Sequence, residues 1–85
     1  MARLSGAELA ELAMDARVER VLSTRVRSSA GFVTRRALIH SYIDAGATVE
    51  TARNGERRLV RPDGVFLTDS GITKLAMDYA VGLVG

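Results

Sequence analysis

Few side chains in this sequence can do covalent chemistry, and His40 comes first because it is the only imidazole in the chain. Histidine is also the side chain whose ordinary pKa lies closest to neutrality. His40 stands beside Ser41 and four residues before Asp44. Taken as base, nucleophile and orienting acid, the three would share one helix, with Ser41 pointing off at a different helical angle. Nothing there supplies the sharp strand-to-helix turn that presents a serine nucleophile. The plainer reading is a surface histidine with an aspartate one turn away. Cysteine is absent, which removes thiolate chemistry and disulfides and suits a reducing compartment. A single histidine excludes an ordinary structural zinc set. No Gly-rich phosphate loop, metal-ligand spacing or carboxylate pair occurs, so no cofactor is expected and the chain reads as a non-enzyme.

Arginine is the other chemistry-bearing type. The chain holds 12 Lys and Arg against 10 Asp and Glu, for a net charge of +2, and the balance is uneven along its length. Residues 20–61 carry nine arginines (Arg20, Arg25, Arg27, Arg35, Arg36, Arg53, Arg57, Arg58 and Arg61) against Asp44, Glu50 and Glu56. The segments on either side are net acidic, with Glu8, Glu11, Asp15 and Glu19 before and Asp63, Asp69 and Asp78 after. A basic middle between acidic flanks admits two readings. Either the arginines are solvated and paired internally with the acidic helix edge, or their planar forks meet phosphate or an acidic protein surface. Four aromatics, Phe32, Tyr42, Phe66 and Tyr79, leave little for base stacking and argue against a single-strand binder.

Eighty-five residues make a single domain, 1–85, with one small core. No run approaches the roughly 18 apolar residues of a membrane span, and acidic residues from Glu8 onward break the layout of a signal peptide. A cytoplasmic setting is expected. Heavy use of Arg, Ala and Val points to a GC-rich bacterial or phage genome.

The elements that must position these groups can be read from caps, turns and periodicity. Ser5 and Glu8 form an S-x-x-E capping box, with Leu4 and Leu9 at staple positions, for a helix over 6–22. Its apolar residues fall on two sides: Leu9, Leu12, Ala13 and Ala16 on one, Met14, Val18 and Val21 on the other. A helix apolar on both sides is sandwiched or shared, and a homodimer burying Met14, Val18 and Val21 is expected. Residues 23–33 read as a Ser/Gly-rich connector with a short extended piece at 24–27. Thr34 caps a helix over 35–45 with Leu38, Ile39, Tyr42 and Ile43 inward and Gly46 just past its end.

Asn54-Gly55 reads as a two-residue type I′ turn and Pro62-Asp63-Gly64 as a second turn, bracketing strands at 47–53, 56–61 and 65–68. Those turns pair Val49 with Val60, Val60 with Phe66 and Leu59 with Leu67. The row Val49, Val60 and Phe66 is assigned to the core. The opposite face then exposes Leu59 and Leu67 between Arg57 and Arg61. A last helix over 70–82, capped by Thr68 or Asp69, puts Ile72, Leu75, Ala76, Tyr79 and Leu83 on one face. The fold class is α+β, in the order α-α-β-β-β-α, with a three-stranded antiparallel meander packed on helices.

Two hairpin strands with Arg at the tip after a helix resemble the wing of a winged helix-turn-helix domain, and the LTDSG run resembles the exit from such a wing. That resemblance implies a small DNA-binding transcriptional regulator. The segment ERRLVRPDGVFLTDSGITKLAMDYA, residues 56–80, resembles small phage and prophage proteins. It implies a mobile-element protein that binds and inhibits a host nucleoprotein complex, as anti-CRISPR inhibitors do. The residues expected to meet the partner are Arg53, Arg57, Arg58, Leu59, Arg61 and Leu67, with Arg25 and Arg27 of the connector as the fallback.

Overall fold

Side-chain caps set where the helices begin. The Ser5 hydroxyl accepts the backbone N–H of Glu8 and opens α1, Gly6–Ser23. Thr34 does the same for Ala37 at the head of α2, Arg35–Asp44, and Thr73 for Ala76 at the head of α3, Lys74–Val84. Each hydroxyl satisfies one of the donors that a first helical turn leaves without a partner. The computed structural model describes residues 5–28 and 31–85, Glu11 by its backbone alone; the expected staple residue Leu4 lies outside them. The cap of α3 is a correction. Thr68 accepts the N–H of Gly71 at 3.0 Å in a preceding turn and Asp69 is engaged by Arg57, so neither opens the helix, and Thr73 does.

Between α1 and α2, where a connector was expected, the chain forms a two-stranded ribbon. β1, Arg25–Ser28, pairs antiparallel with β2, Gly31–Thr34, placing Val26 opposite Val33 and Arg27 opposite Phe32. Alternation explains it, since Val26 and Val33 share one face and Arg27 and Phe32 the other. At the far end of α2 the N–H of Gly46 reaches Ile43 O and that of Ala47 reaches Tyr42 O, the paired bonds of a Schellman stop. Then β3, Thr48–Thr51, β4, Arg57–Val60, and β5, Phe66–Thr68, form the antiparallel meander in chain order. The fold is α+β, with the helices and meander in the expected sequence.

The β3 to β4 register is one residue away from expectation. Val49 pairs with Leu59, not Val60, and Thr51 with Arg57. The reason lies in the loop. Ala52 N–H donates to Glu56 O at 2.8 Å and Gly55 N–H to Ala52 O at 2.9 Å, so three residues, Arg53, Asn54 and Gly55, make the turn. Only Gly55 there has positive φ, at 84°, which is a type I turn closed by a left-handed residue and not the two-residue I′ form. The second loop repeats this design, with Arg61 N–H on Val65 O and Gly64 at φ 89°. Its register, Val60 with Phe66 and Leu59 with Leu67, is as expected.

A one-residue slip exchanges the faces of a strand, and the core follows. Leu59 is fully buried, and Val49 and Leu67 pack beside it. Phe66 is 49% exposed on the opposite face. The expectation that Leu59 and Leu67 would be more exposed than Val60 and Phe66 is overturned: Leu59 is buried and Phe66 exposed, while Leu67 and Val60 are both half-buried. Leu59 meets Leu22 of α1, Ile39 and Tyr42 of α2, and Ile72, Ala76, Met77 and Ala80 of the α3 region in one cluster. On α3 the buried face runs through Met77 and Ala80, while Leu83 is exposed.

α1 divides into two parts. Val18 and Val21 pack against the core and Leu22 is sealed within it, so these valines are intramolecular contacts and not the free dimer face expected of them. Before Val18, every described side chain of the helix is exposed, including Leu9, Leu12 and Met14.

Candidate partner-binding surface

The arginines separate into those held inside the molecule and those left for something else. Arg57 opens β4 on the core side of the sheet. Its guanidinium reaches Asp78 of α3 at 2.7 Å and Asp69 at 3.3 Å, and its backbone N–H also donates to Asp69. Arg36 on α2 joins Glu19 of α1 and the Tyr79 hydroxyl of α3. Arg61 pairs with Asp63 and lies over the ring of Tyr42, 5.4 Å from its centre. The Arg57 and Arg36 ties reinforce elements that the core cluster already joins.

The carboxylates in these ties respond to them. The backbone N–H of Val65 and the Arg61 guanidinium hold Asp63 below the ordinary carboxylate range. At Asp69 burial pushes the pKa up, but the backbone N–H and guanidinium of Arg57, with Lys74, outweigh it and the carboxyl ends below its usual value.

Arg20, Arg25, Arg27, Arg53 and Arg58 have no carboxylate partner among the described residues. Arg25 and Arg27 alternate on one face of the ribbon, and Phe32, directly opposite Arg27 across the strands, shares that face. Phe32 is 70% exposed. Arg58 lies on the solvent face of the meander with its guanidinium 5.2 Å from the centre of the Phe66 ring, and Arg53 sits exposed in the loop after β3.

No family model, characterised protein or solved structure matches the chain.

The surface is therefore read from its own chemistry. Of the residues expected to bind a partner, Arg57 is committed to Asp69 and Asp78, and Leu59 is core. Arg58 is on the outer face and Arg53 at the loop tip; the structure does not gather them into one strip. Arg25 and Arg27, the fallback pair, are brought together on the face of exposed Phe32, as Arg58 is with Phe66 on the meander. Phe32 was missed because 23–33 was read as a connector. The signal was the alternation Arg25, Val26, Arg27 and Phe32, Val33, Thr34, spaced for two strands.

Beside the ribbon lies a cleft of about 490 Å³ between β1 and β2, α2 and the meander. Val33, Leu38, Val65 and Leu67 line it, and Arg27 and Arg61 reach it from two sides. The residues considered for nucleophilic chemistry are not linked to one another. Ser41 Oγ donates to Leu38 O at 2.6 Å, and His40 Nε2 meets the Tyr79 hydroxyl at 2.8 Å. His40 is thus half-buried in the interhelical tie with Arg36, and its nearest polar partner is Tyr79 in place of the expected Asp44.

Proposed function

We propose that this chain is a non-catalytic binding protein of a phage or mobile element that occludes a host nucleoprotein complex, in the manner of an anti-CRISPR inhibitor. The observation that carries the binding role is Phe32, exposed on the same face as Arg25 and Arg27, two arginines with no carboxylate partner among the described residues. Phe32 is 70% exposed beside these guanidiniums, and aromatic and Arg side chains are the residues in which protein interfaces and their hot spots are enriched. Guanidiniums beside it suit a partner rich in carboxylates or phosphates. The phage setting rests on the resemblance of residues 56–80.

The segment 25–34 bears on the alternative, a winged-helix-like regulator. Such a domain has three helices before its wing, the third reading the major groove, and here two helices, with the ribbon between them in place of a third, precede the meander.

The test uses the host's RNA-guided surveillance complex and a target duplex. The protein is expected to slow target binding, and Arg25→Glu with Arg27→Glu, or Phe32→Ala, to relieve the block at least tenfold while keeping the circular dichroism spectrum. Equal inhibition by these variants, or none by the wild type, would overturn the proposal. Binding of the free protein to random duplex, weakening steeply as salt rises, would favour the regulator instead.

A further inference from the structure

Two further surfaces are unfinished, the second sharing Arg27 with the Phe32 face, and they complement each other. The first is the N-terminal two-thirds of α1, residues 6–17, about 18 Å of helix at 1.5 Å per residue. Leu9 is 55% and Leu12 54% exposed, and both lie on the side of the helix away from Val18, Val21 and Leu22. They cannot turn onto their own core. Glu8 and Asp15, seven residues apart, run along one edge of this apolar stripe, and neither has a cation partner among the described residues. The second surface is the cleft, apolar at Val33, Leu38, Val65 and Leu67. Arg27, with no carboxylate partner among the described residues, stands on one side of it and Arg61, held by Asp63, on the other. One surface is an acidic-edged apolar helix, and the other an apolar cleft with guanidiniums on its rim.

We propose that the chain self-associates head to tail, the exposed part of α1 in one copy seating Leu9 and Leu12 in the cleft of the next. Helix-in-groove docking of this kind anchors on side chains three and four residues apart, and a cleft of about 490 Å³ accepts a few such side chains, not a whole helix. Arg27 then faces Glu8 or Asp15 of the neighbour, which supplies the counter-charge each lacks at home. Because the two surfaces differ, the contact is heterologous. Each contact leaves a free helix at one end of the assembly and a free cleft at the other, so growth proceeds to a ring or an open chain instead of stopping at a two-fold dimer.

The experiment is sedimentation velocity from tens to hundreds of micromolar on the whole chain, at low and high salt. The wild type is expected to pass beyond dimer with concentration and to fall back as salt rises. Leu12→Asp spoils the helix and Val65→Asp the cleft; both positions are exposed, so the fold should survive, which circular dichroism checks. Each variant alone is expected to be monomeric, and their equimolar mixture to form a dimer that grows no further, since it has one good helix and one good cleft to join. A wild type that stays monomeric at hundreds of micromolar overturns the proposal. So does a Val65→Asp variant that associates as the wild type does, because that pattern belongs to helix pairing with helix.

Discussion

At the scale of single residues, Asp69 does more than its position in a turn suggests. It fastens the start of β4 by accepting both the backbone N–H and the guanidinium of Arg57, and Arg57 continues to Asp78 on α3. Asp69→Asn should lower stability by about 1–2 kcal/mol, the cost of weakening hydrogen bonds to a charged group, measured by urea denaturation at neutral pH. Its pH dependence has a definite sign. The folded carboxyl titrates below its ordinary value of about 3.9, so its contribution is complete above that value and is lost as pH falls through the depressed one. The Asn variant should therefore lose less stability than the wild type between roughly pH 5 and pH 2. Identical acid limbs in the two proteins would remove Asp69 from the account. The same tie means that Arg57→Glu reads out folding as well as binding, so Arg25 and Arg27 are the cleaner probes of a partner.

At the scale of elements, the two loops of the meander set its register, and each needs one left-handed residue. A Cβ at Gly55 would meet nothing within 4 Å, so the cost of Gly55→Ala is backbone strain alone, about 1–2 kcal/mol. A Cβ at Gly82 also meets open space, but that residue is inside α3. Gly82→Ala should stabilise by about 0.5–1 kcal/mol. Opposite signs for one substitution, read by thermal melts, test the backbone assignment; two changes of the same sign would contradict it.

What was legible follows from how local each signal is. Ser5 with Glu8, Thr34 and Pro62-Asp63-Gly64 act within four residues, and each was read correctly. Asn54-Gly55 is equally at home in a two-residue and a three-residue loop. Asn54 Oδ1 accepting Glu56 N–H decides between them, and no spacing shows that bond. From that one residue came the exchanged faces, and with them the misplacement of Leu59. In the candidate surface, charge marked Arg25 and Arg27. Phe32 went unread because Ser28 to Gly31 carries no Asn-Gly or Asp-Gly pair to announce a ribbon.

At the scale of the whole molecule, shape and core both turn on the helices. The radius of gyration is 14.8 Å, against about 12 Å for a compact chain of this length, and the exposed side chains of residues 6–17 mark a part of α1 that the body does not cover. The core is completed from the other direction, since Ile72, Ala76, Met77 and Ala80 supply much of it. A chain cut after Gly71 should melt without a cooperative transition in circular dichroism, and a sharp melt would show that the cluster does not depend on α3. The strand pairing makes the opposite demand. Every strand bonds to its neighbour along the chain, so the ribbon and the meander can close locally, on the order of microseconds for a hairpin. Translation at roughly 5–20 residues per second needs on the order of seconds to go from β4 to Ala80. During synthesis the meander is therefore ready long before the helix that seals it, with β3 and β5 as bare edges. Strands of four and three residues, with Glu50 on the first, give a neighbouring nascent chain little to pair with during that wait.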